Sequence, residues 1–197
     1  MENFVYENKY SLPHSLCNEI IELFKKNTNS HIQGVTLLGF NKNVKDTTDF
    51  IIPSTYNDND KIDIYTTRWI KIHKFLVEEL KKNVNIYLQK DIANSLQHRE
   101  KNIYTIQIQK YEKNKGQYIW HNDQRIEKMN SQYRVITFLW YLNNVEEGGE
   151  TGFLTYNVKP EIGKLLLFPS DWSYPHCGKM PISHDKYIMT GWIYVFM

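Results

Sequence analysis

The chain has 197 residues, enough for one domain with a continuous core and short for two of ordinary size. Its hydrophobic fraction of 41% and aromatic fraction of 14% exclude a disordered chain. A net charge of +2, from 24 basic and 22 acidic residues, offers no global attraction for nucleic acid or an anionic membrane.

In chain order, the first expected element is a helix. Pro13 is suited to an early helical position, and Leu16, Ile20, Ile21, Leu23 and Phe24 recur at helical spacing through about Lys26. Residues 41–63 are polar and turn-rich, and the reading is a long surface loop of the kind that serves as a lid. A second helix is expected from about Thr66 to Gln89, with Trp69, Ile72, Phe75, Leu76, Leu80, Val84 and Tyr87 on one side. The period then changes. Tyr104, Ile106 and Ile108 alternate with Thr105, Gln107 and Gln109, which predicts a half-buried strand over Ile103–Tyr111. The continuous apolar run from Arg134 to Leu142 predicts a central strand, and further strands are expected at Lys164–Phe168 and Tyr187–Phe196.

Helices followed by antiparallel strands make an α+β plan whose strands can close into a double-sheet jelly roll, or double-stranded β-helix. The expected organisation is a single domain over 1–197, with residues 1–100 supplying mainly helical support and the lid loop, and 101–197 the jelly-roll core. No apolar run approaches the ~18 residues of a membrane helix. The first residues lack the basic start and apolar stretch of a signal peptide. Two cysteines, Cys17 and Cys177, cannot build a disulfide framework. A soluble cytoplasmic protein is expected.

The chemistry concentrates at His121-Asn122-Asp123. Residues two apart on an extended segment point to one face, so an imidazole and a carboxylate at this spacing can grip one metal from adjacent corners. A second histidine from a later strand would complete a facial triad and leave positions open for a chelating co-substrate and O2. His176 is the natural third ligand because it precedes the last predicted strand. His184 is the rival, but it sits beside Lys186. Lys186 opens that strand, and a buried lysine there could pair with the far carboxylate of a chelating diacid. Taken alone, the His-x-Asp pair is weak and Lys186 reads as a surface lysine. Cys177 reads as a small buried hydrophobe, and Trp120, Trp140 and Trp172 as core or rim packing. His14, His31 and His73 read as surface residues, and His98-Arg99-Glu100 as solvated.

Three ordered blocks alter that weighting. They are Tyr111-x4-Gly116-x-Tyr118-x2-His121-x-Asp123, then Arg134-Val135-x-Thr137-x3-Tyr141-Leu142-x2-Val145-Glu146-Glu147-Gly148-Gly149-Glu150-Thr151, then His176-x9-Lys186-x3-Thr190-x-Trp192. Together they resemble the prolyl 4-hydroxylase-like 2-oxoglutarate/Fe(II) dioxygenases over about residues 104–196. The resemblance implies that His121, Asp123 and His176 hold Fe(II). It also implies that Lys186 pairs with 2-oxoglutarate in a pocket lined by Tyr111, Tyr141 and Thr190, and that Tyr118, Arg134 and Trp192 face the substrate. The segment Val145–Thr151 would be a structural turn and strand.

The implied reaction is hydroxylation of a prolyl or other residue in a peptide or protein, using O2 and releasing succinate and CO2. The family leaves room for ascorbate as reductant. A free amino acid or other small molecule stays open as substrate, as does a catalytically silent jelly-roll binding module. A zinc hydrolase could use the same triad but has no need of Lys186. A nucleobase oxygenase would want a basic groove, which the charge balance does not supply. The spacer between Asp123 and Arg134 is short for the family, which implies a reduced loop over the substrate.

Overall fold

The computed structural model describes residues 4–36, 38–55, 64–89, 94–127 and 131–196. The strands in chain order are β1 (Tyr6–Asn8), β2 (Ile32–Gln33), β3 (Lys45–Asp46), β4 (Thr48–Ile51), β5 (Asn102–Tyr111), β6 (Gln117–His121), β7 (Ile126–Glu127), β8 (Gln132–Tyr141), β9 (Thr151–Phe153), β10 (Asn157–Val158), β11 (Leu165–Pro169), β12 (His176–Gly178) and β13 (Lys186–Phe196). The helices are α1 (His14–Lys26), α2 (Ile64–Leu88) and the short α3 (Asn94–Gln97).

Two antiparallel sheets face each other. The larger runs β1-β11-β8-β13-β5-β4-β2, with β7 also on β8; the smaller runs β10-β9-β12-β6-β3. This is the jelly-roll plan with helical support that the sequence predicts.

The larger sheet is buried on both faces, which explains the unbroken apolar run of β8. Ile136, Phe138 and Trp140 point one way and join Ile106 and Ile108 of β5, Leu165 and Leu167 of β11, and Met189 and Ile193 of β13. They pack under Ile20 and Phe24 of α1 and Trp69, Ile72, Leu76 and Leu80 of α2. The opposite face turns Leu139, Tyr141, Leu166, Phe168 and Ile188 toward Phe153 and Val158 of the smaller sheet. Period two thus sends alternate residues into two different cores. On α2 the apolar stripe is narrower than its sequence suggests. Trp69, Ile72, Leu76, Leu80, Val84 and Tyr87 are buried, while Phe75 lies beside the stripe and is 45% exposed.

The largest departure from expectation lies in residues 41–63. Instead of one long loop, this stretch holds β3, paired to β6 through Lys45 opposite Tyr118, and β4, paired to β5 through Phe50 opposite Ile108. These strands are short and polar, so no hydrophobic period announces them. What orders them is a partner far along the chain. Residues 56–63 of the expected lid lie outside the described residues, as do 128–130 of the spacer after Asp123.

Candidate metal and co-substrate site

Strand pairing assembles the triad. His121 ends β6 and His176 begins β12, and the two are direct antiparallel partners, so their side chains share a face. Asp123 follows two residues after His121 in extended chain and turns back onto the same face. Asp123 Oδ2 lies 3.5 Å from His176 Nε2, and Oδ1 lies 3.9 Å from His121 Nε2. One ligand atom from each of the three falls within 4.8 Å of the others. Among the described residues no other cluster of at least three His, Cys, Asp or Glu side chains does this.

Outer partners orient each ligand. His121 Nδ1 is 2.8 Å from the Ile119 carbonyl and His176 Nδ1 is 3.1 Å from the Tyr174 carbonyl, so each ring donates from Nδ1 and turns its Nε2 inward. Thr137 Oγ1 donates to Asp123 Oδ2 at 2.8 Å and is itself 2.9 Å from Ser170 Oγ. Burial, and then the proximity of His176, push the His121 imidazole down to about 4, so it stands neutral and ready to ligate at pH 7. Burial works against the Asp123 carboxylate, but the two imidazoles, the Thr137 hydroxyl and the nearby Trp192 indole outweigh it and keep Asp123 ionised. Two imidazoles and one carboxylate on one face fit a non-haem Fe(II) ion. Thr137→Val is expected to weaken metal binding about 10–100-fold without unfolding the protein, as loss of an outer partner does. Metal titration of the variant beside wild type, with melting followed by circular dichroism, checks this.

Beside the triad opens a cavity with about 450 Å³ of empty space, its mouth included. Its floor is the larger sheet. Along β13, Lys186, Ile188, Thr190 and Trp192 fall in one row, and Gln109 and Tyr111 of β5 and Thr137 and Leu139 of β8 run alongside. The smaller sheet supplies Tyr118, Thr151 and Cys177 besides His121 and His176.

Lys186 is 1% exposed. Its Nζ donates to the carbonyls of Gly149 at 3.0 Å and Lys179 at 3.4 Å and lies 3.9 Å from the centre of the Tyr111 ring. Among the described residues no carboxylate forms an ion pair with it. Burial therefore drives its ammonium down to about 7. A lysine desolvated at the floor of a cavity, with only neutral partners, calls for an anionic ligand. A dicarboxylate lying between Lys186 and the triad supplies that charge, so the cavity fits 2-oxoglutarate.

The remaining expected residues divide into two groups. Tyr111, Tyr118, Thr190 and Trp192 line the cavity. Tyr118 stacks on His121 with ring centres 3.5 Å apart, and Thr190 spends its proton on the Phe138 carbonyl at 2.7 Å. Tyr141 and Arg134 do not line it. Tyr141 shares a face with Thr137 and Leu139 but lies deeper between the sheets, its hydroxyl bonded to Thr151 Oγ1 at 2.6 Å. Arg134 covers Trp192 from outside, its guanidinium 3.5 Å from the indole and its Nε donating to the Tyr194 hydroxyl. His184 is turned away to the Asn144 carbonyl. His31 is not a free surface residue: it stacks on Phe24 at 4.0 Å. His73 is half-buried, with an unpartnered Nε2. Trp140 is core, whereas Trp120 and Trp172 are more than half exposed.

Sequence reasoning passed over Gln109, whose amide oxygen accepts from the Tyr111 hydroxyl at 3.1 Å. It passed over Thr137 as an Asp123 partner, although Thr137 stood inside a family block. Cys177, read as filler, also faces the cavity. Gly149, placed in a structural turn, has φ +74° and offers Lys186 its carbonyl.

Residues 106–194 match the 2OG-Fe(II) oxygenase superfamily. Among solved structures, the chain is similar to the viral collagen prolyl hydroxylase of Paramecium bursaria Chlorella virus-1 in its 2-oxoglutarate complex. That match has a TM-score of 0.66 at 18% identity, covering 98% of this chain and 97% of that one. A prolyl hydroxylase of Trichoplax adhaerens, solved with a hypoxia-inducible-factor peptide fragment, gives 0.73 at 18%, covering 98% and 84%. A prolyl-4-hydroxylase of Pseudomonas putida gives 0.62 at 15%, covering 95% and 91%. No curated protein matches the sequence significantly. Among the described residues no helix is long and apolar enough to cross a membrane. Residues 106–194 therefore carry the pattern of the 2OG-Fe(II) oxygenase superfamily, and the described residues around them share the fold of these solved structures.

Proposed function

We propose that this protein is an Fe(II)- and 2-oxoglutarate-dependent hydroxylase that acts on a prolyl residue of a peptide or protein and releases succinate and CO2. The observation that carries the reading is the buried Lys186, with no carboxylate partner among the described residues, on the floor of the cavity that holds the His121–Asp123–His176 triad. Iron bound there supplies the oxygen-activating chemistry. The rest falls to the chain. His121, Asp123 and His176 hold the ion, and Lys186 binds the far carboxylate with a charge-assisted hydrogen bond worth about 1.5–3 kcal/mol. Tyr111, under that ammonium, holds Lys186 in place, and Thr190, its proton spent on the Phe138 carbonyl, shapes the adjoining wall. Gln109 keeps the Tyr111 hydroxyl in place.

Tyr118 and Trp192 both wall the cavity, and in this reading they are the surfaces that meet the prolyl ring. Arg134, stacked on Trp192, sets the tilt of that wall. A peptide substrate is supported by the collagen and hypoxia-inducible-factor targets named for the structural neighbours. A site of action in a reducing compartment goes with this reading, since Cys17 and Cys177 are both unpaired.

Anaerobic reconstitution with Fe(II) and 2-oxoglutarate is expected to give a weak visible charge-transfer band. Admission of air with a panel of proline-containing peptides is then expected to raise succinate release above the peptide-free rate and add one oxygen to a prolyl residue, read by mass spectrometry. A folded, metal-loaded protein with no band and no succinate would remove the oxygenase reading. Succinate release unaffected by every peptide but raised by a free amino acid would remove the peptide reading alone.

A further inference from the structure

A buried ion pair, unused by the chemistry above, lies against the wall of the site. Lys45 Nζ and Asp49 Oδ2 are 2.7 Å apart, each side chain 4% exposed, and Thr47 Oγ1 donates to the other carboxylate oxygen at 2.7 Å. The two charges belong to different sheets: Lys45 to β3 of the smaller, Asp49 to β4 of the larger. Their cross-strand partners are site residues, Tyr118 for Lys45 and Gln109 for Asp49. The pair therefore bridges the two layers at the edge of the cavity.

We propose that Lys45 and Asp49 are positioning residues for the metal site, acting through Tyr118. The inference rests on the reading of His121, Asp123 and His176 as metal ligands. β3 is a two-residue edge strand, and so short a ladder holds its neighbour weakly. The ion pair anchors β3 to the larger sheet and thereby fixes the edge of β6. Lys45 Nζ lies 5.6 Å from the Tyr118 ring centre, on the ring that stacks against His121 with an interplanar angle of 14°. The contact chain Asp49–Lys45–Tyr118–His121 is unbroken. Gly34 leaves room for it: a Cβ there would sit 2.1 Å from Thr47 Oγ1 and 3.1 Å from Lys45 Cε. A buried pair of this kind is a poor source of stability against a hydrophobic replacement, and its better-attested use is to specify one arrangement.

The test is cobalt(II) binding by the metal-free protein, followed by calorimetry and by the visible ligand-field bands. Wild type is compared with Lys45→Met, Tyr118→Leu and the double variant. Lys45→Met is expected to bind about tenfold more weakly with shifted bands, as outer partners of a metal site do. Tyr118→Leu is expected to lose a similar factor, and the double variant no more than either. Multiplying losses, or wild-type binding by Lys45→Met, would overturn the proposal. Because Lys45→Met strands the Asp49 charge, Lys45→Met/Asp49→Leu is measured alongside. It is expected to recover thermal stability while keeping the weakened, shifted cobalt site. Recovery of stability and cobalt affinity together would make the pair merely structural and overturn the proposal. Failure of wild type to bind cobalt at all would remove the metal-site reading itself, and this inference with it.

Discussion

His176→Ala is expected to abolish metal-dependent succinate release while leaving the fold intact. The imidazole lies opposite His121 across the β6–β12 pair and 3.5 Å from Asp123, so its loss leaves two ligands where three converge. Loss of an outer partner alone costs about 10–100-fold in metal affinity, and loss of a ligand is expected to exceed that. The ring packs edge-on against Phe168 with centroids 4.8 Å apart, so alanine also leaves a small void. A void of that kind next to an open cavity costs less than one in the closed core, where large-to-small changes cost about 2–5 kcal/mol. Equilibrium dialysis with Fe(II) and a thermal melt check the two halves separately. Tight iron binding by His176→Ala would show that the ligand set has been misassigned. His184→Ala, by contrast, is expected to bind iron as wild type does.

The second large effect concerns Lys186 and pH. In the ligand-free protein burial holds its ammonium down to about 7, against 10.5 for an exposed lysine. A bound dicarboxylate favours the charged form, so 2-oxoglutarate binding above pH 7 takes up a proton. The affinity for 2-oxoglutarate is therefore expected to be greatest near and below pH 7. It then falls by a factor approaching about tenfold per unit as the pH rises further, until the pKa of the complex is reached. Calorimetry in buffers of different ionisation enthalpy reads the proton directly.

Stability has the opposite slope. The folded pKa is depressed, so between about 7 and 10.5 the unfolded chain holds more protons at this residue than the native one. The penalty of burying the charge is present in full below pH 7 and is relieved as the pH rises through that window, so Lys186 makes the ligand-free protein more stable with rising pH. Lys186→Met removes both dependences and is expected to weaken 2-oxoglutarate binding by about 10–150-fold, the equivalent of one charge-assisted hydrogen bond. A pH-independent affinity in wild type would show that Lys186 is not the group that meets the ligand.

The parts of the protein legible in its sequence are those whose signal is local. The 3.6 period of α1 and α2, the apolar runs of β8 and β13 and the spacing of His121 and Asp123 each depend on neighbours a few residues away. The row from Lys186 to Trp192 follows from period two alone. Decisions made by distant pairing were not legible. Lys45, Thr47 and Asp49 read as loop because polar residues in a turn-rich stretch carry no period. They become strand and buried ion pair only when β3 meets β6 and β4 meets β5. Tyr141 matched a pocket position by order in the chain, yet depth between the sheets, which no sequence pattern encodes, gives its hydroxyl to Thr151.

The sequence by itself thus determined the two main helices, the long strands and the α+β jelly-roll plan, because alternation and spacing act along the chain, and its family-like blocks singled out His121, Asp123 and His176 as candidate metal ligands. Only the tertiary structure decided which face of each strand meets which layer, that Lys186 is buried with no carboxylate in an ion pair with it among the described residues, and that Lys45 and Asp49 join the two sheets beside the site. Burial and partnership are properties of what lies across space, and in this fold the pairings of His121 with His176, of Asp123 with Thr137 and of Lys186 with Gly149 join segments remote in sequence.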